Sequence, residues 1–120
     1  MNFVRKQILE SMREFKAEGS AAEASFAFTL GFIGFDGHFS GNPVFPGICQ
    51  VQAALVMLEA WDKRKVFLEE ITSAKFYSPV LPEETMCFKC SRDDSGGPVK
   101  VKISCGDKKI AELKLKVVYA

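Results

Sequence analysis

The side chains that could do chemistry in this sequence are one histidine, a set of cysteines and a pair of glutamines inside an apolar run. His38 stands in GFDGHFSGNPVFPG. A neutral imidazole with an ordinary pKa of ~6.5 can take and return a proton near neutral pH. By itself, a loop histidine is equally well explained by a hydrogen bond within its loop. Gln52 is the polar side chain of VQAALVML, with Gln50 just before it. An amide can orient a hydroxyl or a water but has no acidic proton to give. Such a buried amide reads either as a site residue or as one satisfied by backbone or a partner subunit.

Cys87 and Cys90 form a CxxC, a spacing used by zinc sites. They lie in TMCFKC, which reads as a strand, so the two thiols point to opposite faces. No second CxxC or histidine pair completes a tetrahedral site, so no metal is expected. These two, with Cys49 and Cys105, read as core or half-buried thiols. Charge interrupts the apolar residues of MNFVRKQILESMREF every few positions, so this stretch is neither a secretory signal nor a membrane anchor. The expected compartment is the cytoplasm, where thiols stay reduced.

The elements that must position these groups follow from periodicity. Val4, Ile8, Met12 and Phe15 recur at near-helical spacing, predicting a short amphipathic helix over 3–15. AEASFAFTL, residues 22–30, reads as a first strand. The segment from Gly34 to Gly47 carries Gly37, Gly41, Pro43 and Pro46 as well, which marks a structured, functional loop. Pro46 suits the first turn of a helix that continues through ICQVQAALVMLEAW to Trp61; being apolar all round, it must be central. Residues 66–80, 84–93, 98–105 and 109–120 read as four more strands, with turns at DDSGGP and CGDKK. The order predicts a single α+β domain over 1–120, an antiparallel five-stranded sheet wrapped around the helix. Lys100, Lys102, Lys114 and Lys116 alternate with apolar residues and read as a solvated sheet face.

With 48% hydrophobic and 26% charged residues the chain has the composition of an ordinary globular domain. Its formal net charge of +1 gives no basic field for a phosphate backbone, so nucleic acid is not an expected partner, nor is a membrane.

Residues 37–54, GHFSGNPVFPGICQVQAA, closely resemble the signature of β-hydroxyacyl-carrier-protein dehydratases, where GHFPxxPVxPG leads into the central helix of a hot-dog fold. AKFYSPVLPEE, residues 74–84, resembles the same family's KFxxPVxPGD segment. The resemblance implies a hot-dog domain that dehydrates 3-hydroxyacyl thioesters of acyl carrier protein or CoA in fatty acid or related synthesis. It implies no cofactor, no metal, and a homodimer or larger homo-oligomer.

By the same resemblance His38 is the base at C2 and Gly47 N–H holds the thioester carbonyl, a role suited to the unpaired donors at a helix start. Phe39, Pro46 and Ile48 flank them as substrate-binding residues, while Asn42, Pro43 and Pro46 shape the loop. Two positions depart from the pattern. The family places a carboxylate fourteen residues after its histidine, where this chain has Gln52, and proline where it has Ser40. Gln52 is then expected to position the hydroxyl or a water, and Gln52→Glu to raise turnover. Glu59 lies too far along the helix to replace the missing acid. A hot-dog thioesterase and a catalytically silent carrier-protein-binding member remain as alternatives.

Overall fold

A computed structural model describes residues 3–28, 45–93 and 97–120. Helix α1 (Phe3–Ser11) is followed by strands β1 (Met12–Glu18) and β2 (Ala21–Ala27), helix α2 (Gly47–Asp62) and strands β3 (Val66–Phe76), β4 (Thr85–Ser91), β5 (Val99–Cys105) and β6 (Lys108–Tyr119). The strands make one six-stranded antiparallel sheet in the order β1-β2-β4-β5-β6-β3.

The sheet has six strands where five were expected, because the opening helix stops at Ser11 instead of running to Phe15. From Met12 the backbone pairs with β2, Met12 opposite Phe26 and Glu18 opposite Ala21. An extra residue is inserted between Arg13 and Lys16, with Glu14 at φ 56°. This bulge places Met12 and Phe15, three residues apart, against the same core. An insertion in a strand thus reproduces a helical spacing of apolar residues. The remaining bounds shift by a few residues: β3 ends at Phe76 rather than at 80, and β2 at Ala27.

Helix α2 buries Cys49, Gln50, Val51 and the unbroken run from Ala53 to Leu58, so apolar contacts surround it. Ala22, Ala24 and Phe26 of β2, Met86, Phe88 and Cys90 of β4, Val99, Val101 and Ile103 of β5, and Leu113 and Leu115 of β6 alternate inward against it. Phe26 and Phe88 meet edge to face with centroids 5.0 Å apart. The outward Lys100, Lys102, Lys114 and Lys116 are exposed, as their alternation predicts. Two-residue turns with Gly19 and Gly106 at positive φ close the β1-β2 and β5-β6 hairpins. No helix among the described residues is long and apolar enough to cross a membrane.

At one edge β3 has β6 as its partner, and from Glu69 to Phe76 all its residues but Ser73 are exposed. Beyond the end of α2 the chain is fastened by a compact ionic cluster. Asp62 takes a two-pronged bond from Arg92 at 2.7 and 2.8 Å and a third, at 2.6 Å, from the hydroxyl of Tyr119. The Arg92 guanidinium lies 3.8 Å above the Trp61 ring. Arg92 holds the Asp62 carboxyl below its ordinary range, and Asp62 raises Arg92 in return.

Candidate active site

His38 and Phe39 lie outside the described residues, as do Ser40, Asn42 and Pro43. The two ends of their segment are well defined. The rings of Phe28 and Phe45 stack with centroids 4.6 Å apart. Phe45 N–H donates to the carbonyl of Val80 at 2.7 Å, and Glu83 N–H donates to that of Phe28 at 2.6 Å. Tyr77 N–H donates to Ile110 O at 2.7 Å and anchors the same stretch to β6. Phe45 and Phe28 therefore meet the KFYSPVLPEE segment in space, bound by their main chains.

Pro46, buried and extended, precedes α2 without a capping side chain. Its carbonyl accepts from the N–H groups of Cys49 and Gln50 at 3.0 and 3.1 Å. The N–H groups of Gly47 and Ile48 have no carbonyl a turn earlier within the helix and point toward an acceptor outside it. The positive end of the helix dipole favours a partly negative oxygen there. Ile48 is exposed. A Cβ on Gly47 would come within 2.9 and 3.0 Å of the tip of the Phe76 ring, which is 52% exposed and would have to swing aside. Phe45, Gly47, Gln50, Phe76, Tyr77, Ser78 and Pro79 line an open groove of about 250 Å³.

The two glutamines part company in this arrangement, because two residues along a helix turn about 200° around its axis. Gln52 faces α1, and its Oε1 accepts from Arg5 Nε at 2.6 Å. Arg5 Nη1 is 3.5 Å from Glu59 Oε2, which also accepts from Val66 N–H at 2.9 Å. Arginine only donates, so the oxygen end of the Gln52 amide must face it, leaving the NH2 end as a donor for other groups. Gln52 is absent from the lining of the groove. Gln50 is 3% exposed and lines that groove, yet its Oε1 meets no donor among the described residues. A buried acceptor without a partner costs about 1–3 kcal/mol.

Arg5 and Phe76 were not foreseen as members of the site. Arg5 is one charge among several on an amphipathic helix, and nothing local ties it to Gln52. The thiols behave as the sequence suggests: all four are free. Burial pushes Cys49 and Cys105 up and drives Cys90 to about 12, which keeps them protonated. No cluster of metal-binding side chains occurs among the described residues.

The chain is similar to several known proteins. A 3-hydroxyacyl-[acyl-carrier-protein] dehydratase FabZ from Latilactobacillus sakei is 39% identical over 62 residues, covering 46% of this chain and 44% of that protein. The FabZ of Pediococcus pentosaceus is 29% identical over 107 residues, covering 81% and 72%. The chain spans less than half the length of several of the curated relatives it matches. In three dimensions it superposes on a chain of the dehydratase heterocomplex ApeI:P from Xenorhabdus doucetiae with a TM-score of 0.79 at 19% identity, covering 88% of this chain and 95% of that one. The PaaI protein of E. coli gives a TM-score of 0.68 at 11% identity, covering 94% and 88%. These superpositions establish the hot-dog fold. Residues 14–114 match the family described as ApeI-like, ApeI dehydratase, and the chain belongs to that family.

Proposed function

We propose that the protein dehydrates 3-hydroxyacyl thioesters, carried on acyl carrier protein or CoA, to trans-2-enoyl thioesters. The observation that carries this reading is an uncapped helix start at Gly47, packed against the KFYSPV segment, in a chain of a dehydratase family. In this reaction His38 removes a proton from C2 while Gly47 N–H binds the carbonyl oxygen as negative charge builds on it. The C3–O bond then breaks, and the imidazolium returns its proton to the leaving hydroxyl, which departs as water. Phe39, Pro46 and Ile48 border the acyl group. Gln52, with its oxygen held by Arg5, contributes only the hydrogens of its amide and cannot protonate the leaving group. Loss of such an acid lowers the rate by roughly 10²- to 10⁴-fold relative to a carboxyl at that position.

The working unit is proposed to be a homodimer or larger, built along β3, whose open edge and exposed Phe67, Ile71 and Phe76 call for cover. A chain of similar fold belongs to a dehydratase heterocomplex, ApeI:P, so a different chain is a second candidate partner.

Hydration of a short enoyl thioester, offered on both carriers, tests the proposal. Turnover by wild type that disappears in a folded His38→Ala variant is the expected result. No turnover on either carrier refutes it. Free thiol released without hydration would instead point to a thioesterase, and carrier binding without any product to a silent member.

A further inference from the structure

We infer that Gln50, rather than Gln52, is the amide that receives the substrate's C3 hydroxyl, so that the groove at the start of α2 recognises a β-hydroxy thioester and discriminates against its enoyl product. This rests on the thioester reading above.

Three observations lead to it. Gln50 is buried, only 3% exposed, and its Oε1 has no donor among the described residues. It lies three residues after Gly47 on the same helix face, and both line one groove with Phe76 and Tyr77. Gln52, the residue expected at this task, sits on another face and has given its oxygen to Arg5.

The groove is thus lined both by a helix start with unpaired main-chain N–H groups and by a residue whose buried carbonyl oxygen has no donor among the described residues. The matching ligand carries an acceptor and a donor a short distance apart. A 3-hydroxyacyl thioester has both, its carbonyl oxygen on C1 and its hydroxyl hydrogen on the oxygen of C3. The enoyl product has lost the hydroxyl and leaves Gln50 unpaired again, which favours its departure. A buried acceptor with no donor among the described residues, satisfied when substrate binds, converts a cost in stability into selectivity. Its removal is thus expected to help the fold and harm recognition.

The test is equilibrium binding of 3-hydroxybutyryl and butyryl thioesters, each on CoA and on acyl carrier protein, to the full chain in a His38→Ala background where neither reacts. With Gln50 present, the hydroxylated ligand is expected to bind about tenfold more tightly, the worth of one good hydrogen bond. Gln50→Leu and Gln50→Met should bring that ratio close to one while melting no lower than the parent. A ratio that survives both substitutions, or a loss shared equally by the two ligands, overturns the assignment and leaves the thioester reading standing. Failure of both ligands to bind on either carrier overturns that reading together with the assignment. If Gln50→Leu does not fold, Gln50→Met, which keeps the side-chain length, decides the matter.

Discussion

Arg5 and Gln52 are 47 residues apart in sequence, yet a 2.6 Å bond joins them. Because the guanidinium donates only, it fixes which end of the amide is available, and Arg5→Ala should let that amide turn. With Gln52 outside the lining of the groove, Arg5→Ala is expected to leave KM nearly unchanged and to lower stability by about 1 kcal/mol, the worth of one hydrogen bond, read by urea titration. The contact also revises the expectation for Gln52→Glu. An introduced carboxylate beside Arg5 would be held ionised and so would be a poor acid. With position 52 outside the groove, neither this variant nor its Arg5→Gln double is expected to turn over faster than wild type, and pH-rate profiles of the two are the check. A separate prediction concerns Glu83, held at φ 70° while its N–H reaches Phe28 O. Left-handed backbone costs a side-chain-bearing residue about 1–2 kcal/mol, so Glu83→Gly is expected to stabilise the fold by about 1 kcal/mol in urea titration.

Among the elements, the link from α2 to the far strands depends on Asp62. Its carboxyl, held low chiefly by Arg92, titrates below its ordinary value of 3.8 in the folded state. A lowered folded pKa means that this stabilisation is complete above pH ~4 and disappears as the pH falls through the folded value. Asp62→Asn should therefore cost about 2 kcal/mol near neutrality and flatten the acid limb of the stability curve, measured by denaturant titration across pH. How much of this architecture could be read in advance varies from element to element for physical reasons. Strands β5 and β6 face a core on one side and water on the other, so Val99, Val101 and Ile103 alternate cleanly with Lys100 and Lys102. Helix α2 was legible because it is apolar all round. β1 was not, since its bulge gives Met12 and Phe15 the spacing of a helix. Near the site, the helix start at Gly47 was legible from Pro46 and the apolar run after it, whereas the packing of the two motifs against each other is non-local and was not. The pairing of Gln52 with Arg5 was not legible either, because Arg5 belongs to another helix. The placement of His38 and Phe39 lies outside the described residues.

For the molecule as a whole, β3 is the edge with the most to gain from a partner. Phe67 and Ile71 are 51% and 41% exposed. Replacing both with lysine should shift the protein toward monomer in sedimentation velocity, since edge charges oppose strand pairing. If the groove is completed across that edge, activity should fall with dilution in step with dissociation.

The order of strands also has a consequence for how the molecule comes to exist. Val66 pairs with Tyr119 and Phe76 with Ala111, so the strand that leaves the central helix waits for one made much later in the chain. While a ribosome is still producing residues 77–107, β3 has no neighbour within the same polypeptide and displays Phe67 and Ile71 to whatever is nearby. Such distant pairing slows assembly to the millisecond-to-second range typical of non-local sheets. Crowded synthesis is thus the stage at which this protein is most exposed to sticking to its own nascent copies.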